Sequence, residues 1–265
     1  MQALSVLLLS LVATAYGLPE PRIIGGKEAP VGKFPYQVSL RQSGRHSCGA
    51  SIINSRYVLT AAHCVTGLKS PKSITVHVGT NLLSSEGTPY EVDKIAYHRY
   101  FTHLLLINDV ALIRVVKDIA FNDLVQPIPL ASGNKTYEGS PSVLSGWGMV
   151  HLDENLPDRL QYINLQIENQ QKCREKIYDL HIAVVKSHIC TFTKYGEGVC
   201  RGDSGGPLVI DGVQIGVVSF GNPCAVGYPD VFTRVSSFRS WIDEQQAILQ
   251  KDNIGSQSKN AIYIS

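Results

Sequence analysis

A serine within a glycine-rich segment is the first feature of this chain whose residue types could do chemistry. Ser204 lies in the hexapeptide GDSGGP of residues 202–207, where small residues let backbone N–H groups point in one direction. Acyl transfer from an amide needs a nucleophile, a base, a group that holds the base, and donors for the developing oxyanion. An Asp-Ser-Gly tripeptide alone is also common in turns. The full hexapeptide is more specific and predicts a nucleophile.

A histidine and an aspartate are candidates for the other two side chains that acyl transfer needs. His63 follows a β-rich run in LTAAHC and stands beside Cys64, which could fix its position. Asp109 leads into an apolar strand in NDVAL, where its carboxylate could be buried against an imidazole N–H. Taken alone, each has an ordinary structural alternative, because His63 is one of eight histidines and an Asp often ends a loop.

These three segments together resemble the chymotrypsin-like serine peptidase family, in content and in the order His63, Asp109, Ser204. The match runs from Ile23 to about Leu249. The resemblance implies that Ser204 attacks the scissile carbonyl and that His63 accepts its proton and later delivers it to the leaving amine. Asp109 would hold the imidazole and stabilise its charged form. The family resemblance therefore implies an endopeptidase of proteins and peptides that uses no cofactor.

The same resemblance assigns supporting roles. The backbone N–H groups of Gly202 and Ser204 would bind the oxyanion, and Ser219 would support Asp109. Six cysteines in an exported chain predict three disulfides, although their spacing does not choose among the possible pairings. The resemblance implies these pairs: Cys48 with Cys64, Cys173 with Cys190, and Cys200 with Cys224.

The N-terminal residues have the pattern of targeting and processing segments. Residues 1–17 contain an apolar run that ends in small residues, which is typical of a secretory signal peptide. Arg22 precedes the sequence IIGG, which resembles the activation junction of a zymogen with residues 18–22 as propeptide. In the family, the new ammonium group, here at Ile23, inserts beside the residue equivalent to Asp203 and orders the oxyanion hole and the pocket. We therefore expect a secreted zymogen that an external trypsin-like protease activates.

The residues at the positions that select the substrate in this family indicate two different specificities. The residue six before Ser204, which is Asp in trypsin-like enzymes, is Gly198, and Gly221 leaves the pocket entrance open to large side chains. These glycines predict cleavage after Phe, Tyr or Leu. Asp230 aligns with the back wall of the same pocket, where an acid could admit Lys or Arg. The combination is similar to arthropod digestive chymotrypsins and to brachyurin-type collagenolytic peptidases, so broad specificity is the alternative.

Short β-rich runs recur along the chain, whereas only one long helical pattern does. Strands are predicted at residues 36–40, 74–78, 111–115, 208–210 and 213–218, and the pair Asp211-Gly212 predicts a tight hairpin turn between the last two. A helix near the end is predicted from an apolar face, with Ser236 or Ser237 as its cap. That face consists of Phe238, Trp241, Ile242, Ile248 and Leu249.

The predicted fold class is all-β, with two packed six-stranded antiparallel β-barrels and a C-terminal α-helix, as in the chymotrypsin-like family. A cluster of Pro and Gly at residues 127–141 predicts the connection between the halves. We therefore expect an N-terminal barrel at 23–130 and a C-terminal barrel with the helix at 131–250. Residues 251–265 are expected to form a poorly ordered polar tail.

Composition excludes several other classes of function. The net charge of +2 comes from interspersed charges with no basic block, which argues against nucleic-acid binding. No segment approaches the roughly 20 apolar residues of a membrane helix. The chain lacks a Cys-x-x-Cys pair, and residues 78–82 lack the leading carboxylate of a calcium loop, so we predict no metal.

Several interpretations compete with the main one. A catalytically silent homologue and a narrow regulatory protease are the rivals, although the intact catalytic residues and the simple architecture favour a digestive or venom enzyme. Arg201 would lie at the rim of the site, where it is either a contact for acidic residues past the scissile bond or a solvated surface arginine. We expect a monomer that protein protease inhibitors bind, with a glycosylation sequon at Asn134.

Overall fold

The computed structural model describes residues 25–151, 155–178, 182–222, 224–251 and 261–264. Two β-sheets form most of the protein. The first contains the strands Gln37–Gln42 (β2), Arg45–Ile52 (β3), Tyr57–Thr60 (β4), Ile74–Val78 (β5), Thr88–Tyr97 (β6), Ala111–Val115 (β7) and Ala261–Ile264 (β14). The second contains Lys27–Glu28 (β1), Pro141–Gly146 (β8), Gln161–Gln166 (β9), His188–Thr191 (β10), Pro207–Ile210 (β11), Val213–Phe220 (β12) and Asp230–Arg234 (β13).

Within the described residues, helical structure is limited to short elements around the sheets. The two α-helices are Gln170–Tyr178 (α1) and Arg239–Lys251 (α2), and three short 3₁₀ helices span Ala62–Cys64, Pro71–Ser73 and Val235–Phe238. Across the described ranges, no helix has both the length and the apolar content that are needed to cross a bilayer.

The first sheet closes into a six-stranded barrel. Its strands follow the order β6-β5-β2-β3-β4-β7, and β6 pairs with β7 to complete the ring. Because side chains alternate along each strand, one face of every strand points into the barrel. The buried residues that fill it include Val38, Leu40, Ile52, Ile95 and Ile113. The prediction of a six-stranded antiparallel barrel is confirmed for this half.

The second sheet has seven strands, where six were expected. Its order is β1-β9-β8-β11-β12-β13-β10. An isolated bridge between Ile167, just beyond β9, and Thr191 of β10 closes the six strands from β9 to β10 into a second barrel. The additional strand β1 has two exposed residues, Lys27 and Glu28, which pair antiparallel with β9. Two polar residues carry no periodic signal, so sequence reasoning could not detect a strand that exists only through its pairing with β9.

Most of the predicted local elements are present. Strands β5 and β7 have the predicted bounds, and β12 extends two residues beyond its predicted end. The hairpin turn between β11 and β12 is confirmed, because Asp211 and Gly212 have φ angles of 49° and 75°. Both values lie in the left-handed region that a tight hairpin turn of this type requires.

The C-terminal helix α2 is confirmed, but its buried face differs from the predicted one. Ile242, Gln245 and Leu249 are buried, whereas Ile248 is 38% exposed. Residues 242, 245 and 249 repeat at intervals of three and four, which is the helical spacing of a single face. Ser236 and Ser237 lie in the preceding 3₁₀ helix, and neither caps α2.

Helix α1 and strand β14 are among the elements that were not predicted. Helix α1 begins after Asn169, whose side-chain oxygen accepts hydrogen bonds from the N–H groups of Gln171 and Lys172, as an N-cap residue does. The sequence offered two signals for this helix. One is the N-cap residue Asn169, and the other is the four-residue spacing of the buried residues Cys173 and Ile177. Strand β14 pairs in parallel with β6, although it lies in the tail that was expected to be poorly ordered. Residues 252–260 of that tail lie outside the described residues.

A buried arginine joins α2 to the first barrel. Arg114, on β7, is 2% exposed and donates hydrogen bonds to the Leu249 carbonyl and to the Asp93 carboxylate. The last carbonyls of a helix lack partners within the helix, and a cation there also interacts favourably with the helix dipole. Arg114 therefore stabilises the end of α2 and neutralises a partly buried acid.

Replacing this arginine is expected to destabilise the protein without touching the site described below. Arg114→Met should lower the free energy of unfolding by about 3 kcal/mol, because Asp93 loses its cation in a largely buried position. Urea denaturation of the purified protein measures the change. The matched control is Arg239→Met, which removes an exposed helical ion pair with Asp243 and should cost about 0.5 kcal/mol or less. Equal urea midpoints for the two variants would contradict the expected role of Arg114.

Candidate active site

The first barrel holds a histidine against a buried carboxylate. His63 lies in the 3₁₀ helix directly after β4, and Asp109 lies just before β7. Strands β4 and β7 pair antiparallel with Thr60 opposite Ala111, so both residues come to the same end of the barrel. The His63 backbone N–H donates to Asp109 Oδ1 at 2.9 Å, and His63 Nδ1 lies 2.7 Å from Asp109 Oδ2. A carboxylate bound at Nδ1 leaves Nε2 as the nitrogen that can accept a proton.

The second barrel fixes the same aspartate from the other side. Asp109 is fully buried, and Ser219 on β12 donates its hydroxyl to Asp109 Oδ2 at 2.6 Å. Thr233 on β13 donates its hydroxyl to the Asp109 backbone carbonyl at 2.7 Å. Sequence reasoning identified Ser219 but missed Thr233. A threonine within a β-rich run gives no local signal of a contact 124 residues away.

Backbone hydrogen bonds hold Ser204 in a compact bend between the barrels. The Asp203 N–H donates to the Cys200 carbonyl at 3.1 Å, which closes a turn just before the serine. The Ser204 carbonyl accepts from the Gly49 N–H at 2.8 Å, and the Gly205 N–H donates to the Val218 carbonyl at 2.9 Å. These bonds connect the serine to β3 in one barrel and to β12 in the other.

Glycine is required immediately after the serine. Gly205 has a φ of +78°, and a Cβ at this position would lie 2.2 Å from Thr60 Oγ1 and 3.2 Å from Cys64 Sγ. The close approach brings Ser204 beside the His63–Cys64 segment, as acyl transfer requires. In the described part of the protein, no hydrogen bond joins the Ser204 hydroxyl to His63. Such contacts are often long until substrate binds.

Two backbone N–H groups beside the serine point to no protein acceptor. Within the described residues, the N–H groups of Gly202 and Ser204 donate no hydrogen bond, and Gly202 has a φ of +102° that favours glycine. Two donors of this kind, so close to a nucleophile, can bind an oxyanion.

A histidine that sequence reasoning missed orients this loop. His46 Nε2 lies 2.9 Å from the Gly202 carbonyl, and its Nδ1 lies 2.8 Å from Ser39 Oγ. A carbonyl can only accept, so Nε2 carries the proton and Nδ1 accepts from the Ser39 hydroxyl. Burial lowers the pKa of His46, which favours this neutral form. No motif surrounds His46 in the sequence, so only the folded structure reveals its contact with Gly202.

A cavity of about 250 Å³ opens beside Ser204. Ser219 and Gly221 contribute to its walls. Arg201, which is exposed to solvent, also lines the cavity. The cavity is lined by Val199, Cys200, Arg201, Ser204, Val218, Ser219, Phe220, Gly221, Asn222 and Cys224. Such a mixture of apolar side chains and backbone can hold one side chain of a peptide. A larger cavity of about 380 Å³ lies around Asn134, Glu168 and Arg234, but it contains no nucleophile–base pair.

Asp230 lies directly behind the wall of the smaller cavity. It is 2% exposed, and its Oδ2 accepts a hydrogen bond from the Val199 N–H at 2.9 Å. A Cβ on Gly198 would lie 2.3 Å from Asp230 Oδ2, and one on Gly221 would lie 2.8 Å from Oδ1. The carboxyl thus occupies the space that side chains at both positions would fill. Burial raises the pKa of Asp230 well above its usual range, and the nearby Asp203 adds to this effect.

Asp203 is a second buried carboxyl group, next to Ser204. Its Oδ1 accepts from the Gly148 N–H at 2.8 Å and its Oδ2 from the Cys200 N–H at 3.0 Å. Burial raises the pKa of Asp203 to about 6, because these two bonds only partly offset the loss of water. The predicted partner Ile23 and the predicted cleavage residue Arg22 lie outside the described residues.

Three disulfides support these loops, and they join the same pairs that the family resemblance implies. Cys48–Cys64 anchors the segment of His63, Cys173–Cys190 ties α1 to β10, and Cys200–Cys224 joins two walls of the cavity. The sulfur atoms beside His63 are oxidised, so they offer no thiolate ligands to a metal ion.

Comparisons with known proteins agree with this geometry. A family model described as "Trypsin" matches residues 23–242. The chain is 53% identical to "Chymotrypsin-2" of Vespa crabro over 224 residues, which cover 84% of this chain and all of that relative. It is 38% identical to "Trypsin beta" of Drosophila erecta over 248 residues, which cover 89% of this chain and 97% of that relative. The chain therefore belongs to the trypsin family and is a serine endopeptidase with the chymotrypsin fold.

Proposed function

We propose that this protein is secreted as a zymogen and that its active form cleaves peptide bonds after large apolar residues, through an acyl-enzyme. The observation that carries the chemistry is the chain of contacts from Ser219 through Asp109 to His63, adjacent to Ser204. Asp109, fully buried, keeps the imidazole in one tautomer and stabilises its charged form during the reaction.

The steps of the reaction follow from this arrangement. His63 Nε2 takes the proton of the Ser204 hydroxyl as the serine oxygen attacks the scissile carbonyl. The N–H groups of Gly202 and Ser204 receive the developing oxyanion, and His63 then protonates the leaving amine. Water, activated by the same histidine, releases the acyl group from Ser204 in the second half of the reaction.

The cavity beside Ser204 supports the proposed preference for Phe, Tyr and Leu. Gly221 lines the cavity and adds no side chain to its wall, and Gly198, next to the lining residue Val199, brings no charged side chain. Burial of a large apolar side chain would supply roughly 1.5–3 kcal/mol of selectivity. The similarity to a protein named chymotrypsin at 53% identity also supports this preference. The alternative is broad specificity that includes Lys and Arg, which the position of Asp230 and the similarity to proteins named trypsin favour.

We also propose how the protein is secreted and activated, and that its active form is a monomer. Residues 1–17 direct secretion, and residues 18–22 leave when a trypsin-like protease cuts after Arg22. The active monomer comprises one barrel at 23–130 and a second barrel with α2 at 131–250, and protein protease inhibitors bind to it. N-terminal sequencing tests the boundaries, because the secreted protein should begin at Leu18 and the trypsin-treated protein at Ile23.

Substrate preference is tested with three matched peptides that carry Phe, Leu or Arg before the scissile bond. The secreted protein is activated with immobilised trypsin, the trypsin is removed, and kcat/KM is measured for each peptide near pH 7. We expect Phe and Leu peptides to be cleaved at least about tenfold faster than the Arg peptide, which corresponds to about 1.4 kcal/mol. Equal or faster cleavage of the Arg peptide would contradict the proposed preference and favour broad specificity.

A further inference from the structure

We propose that Asp230 acts as a neutral carboxylic acid behind the substrate pocket, and that its ionisation converts an apolar pocket into one that also accepts Lys and Arg. The inference rests on the proposed function of the same site and deepens it. It makes substrate preference a property that changes with pH, and it assigns the change to one residue.

A buried polar atom behind the pocket has no hydrogen-bond partner among the described residues. Asp230 begins β13 and pairs with Thr191 of β10, so both side chains stand on the same face of the sheet. Among the described residues, Asp230 Oδ1 and Thr191 Oγ1 are both buried and form no hydrogen bond. Two cross-strand polar atoms are thus left without solvent and without a protein partner. Such atoms are costly in a folded protein unless a proton, a water molecule or a ligand supplies a bond.

The carboxyl group of Asp230 is close enough to the pocket to act on a bound side chain. Gly221 lines the cavity, and a Cβ on it would lie 2.8 Å from Asp230 Oδ1. Oδ2 is already held by the Val199 N–H, so Oδ1 is the oxygen that can carry a proton or meet a substrate group. Asp230 Oδ1, which has no hydrogen-bond partner, is therefore the carboxyl oxygen that lies next to Gly221 in the pocket wall.

The groups around Asp230 oppose its ionisation. From the segment before β11, Asp203 acts on Asp230 and opposes its ionisation, and burial opposes it further. The neighbouring strands bring uncharged groups, Thr191 from β10 and Phe220 from β12. In the same segment as Asp203, Lys194 is exposed and paired with Glu197 at 3.1 Å.

These conditions raise the pKa of Asp230, and the sign of the pH effect follows. Below this raised pKa the carboxyl is neutral, and an apolar side chain or a Tyr hydroxyl can lie against it. Above it, a buried carboxylate disfavours an apolar side chain and attracts the ammonium of Lys or the guanidinium of Arg. The ratio of Arg to Phe cleavage should therefore increase with pH, by up to about tenfold per pH unit, and level off above the pKa.

The experiment measures this ratio in the activated full-length protein. Values of kcat/KM for the matched Arg and Phe peptides are determined across the whole pH range in which the protein stays folded, because burial and Asp203 raise the pKa of Asp230. Because His63 and Ser204 act on both peptides, their own pH dependence cancels in the ratio. A fluorophosphonate counts active sites independently of substrate preference. Ser204→Ala protein, treated with trypsin in the same way, measures any residual trypsin that would cleave the Arg peptide.

Two variants of the same chemical type separate the contribution of Asp230 from general effects. Asp230→Asn cannot ionise and should keep a low Arg-to-Phe ratio across the whole pH range. Asp243→Asn, which removes an exposed acid on α2, should retain the wild-type increase. Asp230→Ser, which is smaller and also uncharged, replaces the Asn variant if that variant does not fold.

The possible outcomes are distinct. A ratio that rises with pH in the wild-type protein and stays flat in Asp230→Asn supports the inference. A flat ratio in the wild-type protein overturns it, and this measurement needs no variant to fold. An increase that persists in Asp230→Asn also overturns it. If fluorophosphonate labels the sites but no Phe cleavage occurs at any pH, the proposed apolar preference fails instead.

Discussion

Ser204→Ala is expected to lower kcat for a Phe peptide by about 10⁶-fold, while KM changes little and the protein folds normally. The variant removes the oxygen that forms the acyl-enzyme, and His63 then has no hydroxyl to deprotonate. Folding should be unaffected because the bonds that hold this bend come from the backbone, including the one from the Gly49 N–H to the Ser204 carbonyl. Steady-state kinetics with the Phe peptide measure kcat and KM, and fluorophosphonate labelling verifies that the nucleophilic hydroxyl is absent.

The matched control for this prediction is Ser84→Ala. Ser84 is exposed, and its hydroxyl donates to Asp158, which has no contact with the site. Its kcat should stay within about twofold of the wild-type value, because exposed substitutions of this kind change little. Residual activity of Ser204→Ala above about one part in 10³ would mean that another group acts as the nucleophile.

The side chains proposed to carry the chemistry could be identified from the sequence because each lies in a short, specific segment. Ser204, His63 and Asp109 carry their local signals with them, and their order along the chain adds a further constraint. The groups that orient them carry no such signal. Thr233 and His46 act through contacts with Asp109 and Gly202, which lie 124 and 156 residues away in sequence. Only the packing of one barrel against the other creates these contacts.

The strands show the same distinction. The period-two pattern located β5, β7 and β12, because each of these strands buries apolar residues in a barrel. Strand β1 has no apolar residue and arises only by pairing with β9. The substrate pocket could be predicted only in part. The family resemblance predicted Gly198 and Asp230 at it, and Asp230 does lie behind the wall at Gly221, but the missing partner of Asp230 Oδ1 depends on every group packed around it.

Asp203→Asn is expected to give a protein that folds and is cleaved after Arg22 but is nearly inactive. The carboxyl of Asp203 is fully buried and has two acceptor contacts, with the N–H groups of Gly148 and Cys200. An amide offers one oxygen, so its NH₂ group would face one of these donors. In the proposed active form, the ammonium group of Ile23 would also lose its counter-ion, at a cost of about 3–5 kcal/mol.

The consequence for activity follows from the position of Asp203 between the two N–H groups proposed to bind the oxyanion. A side chain that no longer holds both the Gly148 and the Cys200 N–H groups allows the turn at Gly202 to relax, and kcat/KM for a Phe peptide should fall at least about 10²-fold. N-terminal sequencing verifies cleavage, and urea denaturation verifies folding. Ile23→Gly should produce a similar loss, because its smaller side chain anchors the new N-terminus less well. Asp243→Asn, an exposed acid on α2, should keep full activity after the same cleavage. Near-normal turnover by cleaved Asp203→Asn would show that the buried carboxyl does not order the site.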